Sequence, residues 1–200
     1  MGTDLIVIAN HEMNFHNPEK QYQQLLNILN RLELDTDLIY KTHIESVKNR
    51  NEPFEHISKN PVAWRVDEYA FEDPPNDWIG FDFVTNYRFL DARFCQHTLE
   101  LGTPYRYHIF DVLSEPENLA HFKRWREVWI KLARAFGGNR MIYLADNAHT
   151  LDGYIELHWQ NKPISAIEEA LFKALGPPVK TVFELRYDQP VYFIDNLQPL

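Results

Sequence analysis

The sequence predicts an α+β fold in which helices pack on a mixed or antiparallel sheet, and two observations carry this prediction. One strongly amphipathic helix is followed at once by a compact apolar strand, and other short strands alternate with punctuated helices along the chain. The 200 residues are 44% hydrophobic and 14% aromatic, which is sufficient for one well-buried core. Because no repeat or break in composition divides the chain, we expect a single domain over residues 1–200.

In the first half of the chain, residues 4–10 predict a strand buried on both faces, because a β-branched run is bounded there by polar residues. Helical spacing of leucines after Asn17-Pro18 predicts a helix over 18–34. Residues 37–44 predict a second short strand. Between 46 and 80 the periodicity disappears and prolines accumulate, so we expect a long irregular excursion rich in acidic and aromatic residues.

The central helix is predicted over residues 117–136, with Pro116 as its start and Gly137-Gly138 as its stop. Its apolar residues recur at steps of three and four: Leu119, Phe122, Trp125, Trp129, Ile130, Ala133 and Phe136. It also carries an excess of bases: Lys123, Arg124, Arg126, Lys131 and Arg134. We interpret these bases either as a solvated face with pairs such as Lys123 and Glu127, or as an anchor for an acidic group.

Around this helix the pattern predicts several shorter elements. Strands are expected over 81–89, 105–111 and 140–145, and a short helix over 90–101 ended by Gly102. A further helix over 164–175 ends at Gly176-Pro177-Pro178. Residues 181–186 and 191–194 are expected to be two closing strands joined as a hairpin.

Charge and cysteine content limit the class of protein. A formal net charge of −9 disfavours binding to nucleic acid or anionic lipid and favours a basic or neutral protein partner. The single Cys95 leaves no intramolecular disulfide or cysteine-rich metal site, and beside Phe94 it is expected to be buried and inert. The apolar run at 5–9 is too short for a signal peptide or a membrane span. We therefore expect a cytoplasmic protein.

The chain carries no glycine-rich phosphate loop, nucleophile elbow or paired-histidine zinc helix, so no cofactor is predicted. Potential ligands are densest where Asp146, His149 and Asp152 follow the strand at 140–145 at steps of three, and they could converge on a divalent ion. His11 or His16 could assist them. The alternative is that Asp146 and Asn147 cap a following helix whose histidine and glutamate side chains, at His158 and Glu156, are solvated.

The irregular excursion combines carboxylates with aromatic rings, a composition suited to docking on a basic protein partner. The predicted partner-binding residues are Trp64, Glu68, Tyr69, Glu72, Asp73, Asp77 and Trp78. The aromatic residues could equally fasten a long loop to the core, or mediate self-association of the chain.

The segment from Arg140-Met141-Ile142-Tyr143-Leu144-Ala145-Asp146-Asn147 to Leu175-Gly176-Pro177-Pro178 resembles bacterial immunity proteins of polymorphic toxin systems. The resemblance covers the last third of the chain. It implies stoichiometric binding to a basic toxin domain and blockade of that domain's active site, without catalysis. The alternative function is a small metal-dependent hydrolase that uses Asp146, His149 and Asp152.

Overall fold

The computed structural model describes residues 5–13, 18–35, 37–39, 64–70, 79–85, 91–102, 116–145, 152–186 and 189–198. Within them the fold is α+β, which confirms the predicted class. The strands are β1 (Leu5–Asn10), β2 (Trp64–Ala70), β3 (Ile79–Thr85), β4 (Asp91–Phe94), β5 (Thr98–Leu101), β6 (Arg140–Ala145) and β7 (Tyr192–Asn196). The helices are α1 (Pro18–Arg31), α2 (Pro116–Ala135), α3 (Asp152–Trp159) and α4 (Ile164–Leu175).

All seven strands form one antiparallel sheet in the order β2-β3-β4-β5-β1-β6-β7. The strands from β2 to β5 follow each other in the chain and pair as consecutive neighbours. β1 lies between β5 and β6, so the first strand of the chain is internal to the sheet. The predicted burial of this strand on both faces is confirmed, since Leu5 to Ala9 are all buried.

One face of the sheet is covered by α1 and α2. Val7 has Leu101 and Tyr143 as its cross-strand neighbours, and all three belong to the same core cluster. α2 and the residue that follows it contribute four fully or almost fully buried aromatic side chains to this cluster: Phe122, Trp125, Trp129 and Phe136. Burial of each such side chain stabilises the fold by roughly 1.5–3 kcal/mol.

The apolar stripe of α2 therefore packs in the core, as its periodicity predicts. The helix also ends at Gly137-Gly138, as predicted. The N–H of Gly138 donates to the Ala133 carbonyl (2.8 Å) and the N–H of Gly137 donates to the Arg134 carbonyl (3.0 Å). Gly137 has φ +82°. These bonds form a Schellman motif, which satisfies carbonyls that the last turn of a helix leaves without intrahelical donors.

α3 and α4 cover part of the opposite face. Ile167 and Leu171 of α4 pack in a second, smaller cluster with residues of β1, β6 and β7. α4 has the bounds predicted from its sequence, Ile164–Leu175. None of the helices in the described residues has both the length and the apolar character that a membrane span requires.

The predicted strand over 37–44 is wrong at its start, because Asp37–Ile39 are helical. The Asp35 side chain accepts a hydrogen bond from the Leu38 N–H (3.0 Å), and the Asp35 carbonyl accepts one from the Ile39 N–H (3.1 Å). Asp35 thus caps a helical turn, a local preference that competes with a strand. Residues 40–44 lie outside the described residues.

The predicted irregular excursion over 46–80 is corrected by β2, which is a regular seven-residue strand inside it. Each of its residues is paired with β3, from Trp64 opposite Thr85 to Ala70 opposite Ile79. The strand was missed because apolar and charged residues do not alternate strictly in it, so that periodicity alone gives no signal. Residues 46–63 and 71–78 lie outside the described part of the chain.

The predicted helix over 90–101 is also wrong, because these residues form the β4-β5 hairpin. The Cys95 N–H donates to the Thr98 carbonyl (2.8 Å), which closes a turn through Gln96 and His97. Ala92 and Phe94 before the turn and Leu99 and Leu101 after it are buried with a period of two on each arm. A turn made by glutamine and histidine lacks the usual glycine or asparagine signal.

The first predicted closing strand, over 181–186, is replaced by a 3-10 turn at Val182–Glu184, whereas the second, over 191–194, is confirmed by β7. β7 pairs with β6, and among the described residues the predicted hairpin between the two segments does not form. Val182 and Leu185 are instead buried in the larger core, so that segment folds against α2's face of the sheet. The predicted strand over 81–89 corresponds to β3, displaced to 79–85, and that over 105–111 lies outside the described residues.

Candidate functional site

Three of the predicted partner-binding residues lie on one strand at the edge of the sheet. Trp64, Glu68 and Tyr69 all belong to β2, whose neighbour in the sheet is β3. The other four predicted residues, Glu72, Asp73, Asp77 and Trp78, lie outside the described residues. The structure therefore gives the backbone position of the first half of this predicted surface.

The predicted metal-binding set is described in part. Asp152 is the first residue of α3, while Asp146 and His149 lie outside the described residues. Among the residues that the structure does describe, no three histidine, cysteine or carboxylate side chains are grouped so as to hold a metal ion. The alternative prediction, that a helix follows this stretch, agrees with the position of α3.

On the face of the sheet opposite α2, the residues change from charged to apolar halfway across the sheet. A single row of cross-strand partners crosses all seven strands: Asp67, Asp82, Arg93, Glu100, Ile8, Ile142 and Ile194. We call its first four members the charged row. α4 contacts β1, in the apolar half of this face, and α3 contacts β5, the strand at which the charged row begins.

α3 meets the charged row at β5. Glu100 forms an ion pair with Arg93 (3.7 Å between Oε2 and Nη1) and accepts a hydrogen bond from the indole Nε1–H of Trp159 (3.3 Å). Trp159 is 40% exposed. The side chain of Glu100 thus connects the last residue of α3 with the charged row.

Directly below this contact lies a buried polar cluster made of Cys95, Thr98 and His158. His158 Nε2 lies 3.3 Å from the Cys95 sulfur, and His158 Nδ1 lies 2.6 Å from the Thr98 hydroxyl oxygen. The three residues are fully buried. Glu100 Oε2 lies 3.6 Å from His158 Nε2, at the solvent side of the cluster.

Two tautomers of His158 satisfy these contacts. In one, the Cys95 thiol donates to Nε2 and the Nδ1–H donates to the Thr98 hydroxyl. In the other, the Thr98 hydroxyl donates to Nδ1 and the Nε2–H is directed at the sulfur and Glu100. Burial and, to a smaller extent, the nearby charge of Arg93 lower the pKa of His158 to about 3, so the ring is neutral.

His11 holds the same hairpin from the other side. Its Nε2–H donates to the Cys95 carbonyl (2.8 Å) while its Nδ1 accepts a hydrogen bond from the Met13 N–H (3.1 Å). These two bonds fix one neutral tautomer. Burial lowers the pKa of His11 against the opposing effect of the Cys95 carbonyl, which stabilises the charged form.

Asn161 completes the connection between α3 and the hairpin. It has φ +60°, and its N–H donates to the His158 carbonyl (3.0 Å) while the Lys162 N–H donates to the Leu157 carbonyl (3.0 Å). These are the bonds of a second Schellman motif, with Asn161 in the left-handed position. Its Oδ1 accepts a hydrogen bond from the Gln96 N–H (2.9 Å), so the end of the helix is bonded to the hairpin turn.

A cysteine beside a histidine is the arrangement that activates a thiol for nucleophilic attack, but here both side chains have no exposed surface. The cluster in this conformation joins α3 to β5 and presents no reactive atom to a substrate. The predicted burial of Cys95 is confirmed. The predicted solvation of His158 is wrong, since it lies with Tyr154 and Leu157 on the inward side of α3.

The sequence analysis missed the pairing of Cys95 with His158 because the two residues are far apart in the chain. A helical-spacing signal was present: Tyr154, Leu157 and His158 follow the i, i+3, i+4 pattern of a buried stripe. A histidine within such a stripe needs hydrogen-bond partners from the surface on which the helix packs. The partner residues themselves could not be named without the strand register.

Four of the five basic residues predicted on α2 are bonded to other parts of the chain. Lys123, Glu127 and Lys131 are exposed, as the prediction of a solvated face requires. Arg124 binds the Asp35 carboxylate (2.7 Å), and Arg126 binds the Asp195 carboxylate on β7. Lys131 and Arg134 donate to the main-chain carbonyls of residues 33 and 198 (3.1 and 3.0 Å). These bases connect α2 to other elements.

The remaining base, Lys123, lies over the ring of Phe183, with its Nζ 5.7 Å from the ring centroid. The candidate site is on the other side of the molecule, where the charged row runs from the edge strand β2 across β3 and β4 to the α3-hairpin contact at β5. In comparisons with protein-family models, curated proteins and solved structures, the chain gives no significant match.

Proposed function

We propose that this protein is a cytoplasmic protein-binding module, and in its most specific form an immunity protein that neutralises a cognate toxin by stoichiometric binding. One observation carries the proposal. Trp64, Glu68 and Tyr69, three of the residues expected to bind a partner, belong to a strand at the edge of the sheet. An edge strand is accessible to a partner along its length in a way that an internal strand is not.

The charges around this edge support a basic partner. Asp67 on β2 has Asp82 of β3 as its cross-strand neighbour, and Glu68 follows Asp67 on the strand. Arg124 and Arg126 of α2 pair with carboxylates of the same chain, and the chain as a whole has a formal net charge of −9. Opposed surface charges accelerate association and fix the register of two proteins.

A toxin domain with a basic substrate cleft would suit such an inhibitor. The acidic surface would occupy the cleft and exclude the substrate, and no catalytic group of the inhibitor would be needed. A nuclease is the clearest example, since its cleft is built to bind polyphosphate. This function accounts for the absence of a catalytic motif from the sequence and makes the buried polar cluster a part of the scaffold.

The first test is purification of the tagged chain from its native host through a high-salt wash, with identification of any stoichiometric partner. Recovery of one protein with a toxin-like domain is expected. Purified chain that carries a bound divalent ion and no partner would contradict the proposal. It would turn attention to Asp146, His149 and Asp152.

Charge reversal then tests the surface. We expect replacement of Glu72, Asp73 and Asp77 by lysine to raise the dissociation constant of that complex by about tenfold or more, because like charges would then face each other. The matched control reverses three exposed carboxylates on the α2 side of the molecule: Glu117, Glu127 and Glu184. His149→Ala is expected to leave binding unchanged. Equal losses from both triple variants would show that only net charge matters.

A further inference from the structure

The two edges of the sheet differ in how they end. At the β7 edge, Val179 forms a parallel bridge with Phe193, and its N–H donates to the Tyr192 carbonyl (2.9 Å). This contact occupies part of the outer side of β7. At the other edge, β2 is paired along all seven of its residues with β3 and has no second partner among the described strands.

A strand that is hydrogen-bonded on one side presents outward N–H and C=O groups at every second residue along its other side. We propose that β2 accepts an extended basic segment of the partner protein, which adds to the sheet as an eighth strand. The inference rests on the proposed function and names its mode of recognition. Main-chain hydrogen bonds would give affinity, and side chains on the two faces of the added strand would give specificity.

The charges of β2 determine which segment fits. β2 carries one base, Arg65, and two acids, Asp67 and Glu68; Arg65 and Asp67 share one face of the sheet, and Glu68 lies on the other. On the Asp67 face, the neighbouring strand adds Asp82 at the paired position. Lysine or arginine opposite Asp67 and Glu68 would therefore be stabilised on both faces, whereas acidic residues there would be repelled.

The same charges disfavour a second copy of this chain as the occupant. Asp67 is the central residue of β2, so symmetric antiparallel pairing about the strand's midpoint would place Asp67 opposite Asp67 of the other copy. Like charges directly opposite each other destabilise a strand pair. The net charge of −9 on each chain adds a general repulsion.

The probe for this proposal is a short valine-rich synthetic peptide with two adjacent lysines at its centre, one for each face of the sheet, and the readout is amide hydrogen exchange of the intact protein followed residue by residue. We expect the peptide to slow exchange at alternate residues of 64–70, because only every second N–H points away from β3. The remaining amides of β2 already donate to β3 and should change little. A glutamate-valine peptide of equal length should have no effect.

A peptide N-methylated at every residue is the decisive control, since it keeps the charge and has no main-chain N–H left to donate along either edge. We expect it to bind at least about tenfold more weakly than the parent peptide. Equal binding of the two peptides would overturn strand addition while leaving a charge-driven protein interface intact. Absence of binding by either, with the toxin complex still formed, would also overturn strand addition alone.

Proline substitution tests the same ladder from the side of the protein. Neighbouring residues direct their N–H groups to opposite edges, so one of Val66→Pro and Asp67→Pro removes an outward donor and the other disrupts the pairing with β3. The variant that keeps the wild-type melting temperature should lose peptide binding relative to its alanine counterpart. Unchanged peptide binding by that folded variant would contradict the proposal. Slow exchange at alternate amides of β2 in the absence of peptide, caused by dimerisation of the chain, would also contradict it.

Discussion

At the scale of single residues, the neutral imidazole of His158 makes the stability of the fold depend on pH. Its pKa is about 3 in the folded protein against 6.5 for an unperturbed histidine, so the unfolded chain binds more protons between these values. The stabilisation is complete above pH 6.5 and decreases as the pH falls below it. This group alone supplies a slope of up to about 1.4 kcal/mol per pH unit.

We therefore expect the free energy of unfolding, measured in urea, to fall more steeply between about pH 7 and pH 5 in the wild type than in His158→Gln. The variant should also be less stable at neutral pH, because an amide cannot contact Cys95 and Thr98 in the same geometry. The free energy of unfolding of His158→Gln should still fall with decreasing pH, because His11 also has a lowered pKa and acts in the same direction. Identical slopes would show that His158 is not neutral in the fold.

Asn161 combines a backbone role with a side-chain role, and two substitutions separate them. Asn161→Gly keeps the left-handed conformation but loses the bond to the Gln96 N–H, at a cost of about 1 kcal/mol. Asn161→Ala loses that bond and also strains the backbone, which should cost about 1 kcal/mol more. The melting temperature should thus be highest for the wild type, lower for Asn161→Gly and lowest for Asn161→Ala. A higher melting temperature for Asn161→Ala than for Asn161→Gly would contradict this explanation.

At the scale of elements, the approach of α2 to β1 depends on a glycine without a side chain. A Cβ at Gly138 would lie 2.5 Å from the Asn10 carbonyl oxygen and 2.7 Å from that of Ala133. Both obstacles are backbone atoms, which cannot rotate away. We expect Gly138→Ala to destabilise the protein by about 1–3 kcal/mol.

Gly153 in α3 provides the matched control, because a Cβ there would meet no atom within 4 Å. Gly153→Ala should stabilise the protein by about 0.5–1 kcal/mol, since alanine has less conformational freedom to lose on folding. Chemical denaturation of the two variants beside the wild type would measure both effects. A loss of stability in both would mean that the close contact at Gly138 is not the cause.

The elements that the sequence predicted correctly are those with strong local signals. α2 has an apolar stripe and a glycine stop, α4 has proline and glycine at its ends, and β1 and β6 are compact apolar runs. Each of these patterns arises because the element packs on one surface or on two, so the spacing of its apolar residues in the sequence is enough to predict it. Their observed bounds agree with the predicted ones to within a few residues.

The elements that were mispredicted depend on partners distant in the chain. The β4-β5 hairpin has spacing that also fits a helix, and its neighbours β1 and β3 decide between the two. The segment at Val182–Glu184 becomes a 3-10 turn because β6 already has β7 as its outer neighbour. Tertiary context overrides local preference at both places.

At the scale of the whole molecule, the net charge could be predicted from the sequence, but the partners of the individual charges could not. The value of −9 follows from the sequence, but the sequence does not show that Arg124 and Arg126 of α2 bind carboxylates from other parts of the chain. Likewise, the candidate partner-binding residues were selected by composition alone. The position of three of them, Trp64, Glu68 and Tyr69, on an edge strand comes from the strand order.

The internal position of β1 has a consequence for how the protein is made. Ile8 pairs with Glu100 on one side and Ile142 on the other, so β1 is translated before either of its neighbours and must wait for both. The consecutive hairpins from β2 to β5 involve short loops, whereas joining β1 to β5 and β6 requires closure of long loops. Pairing of β1 on both sides is thus possible only after β6 has left the ribosome.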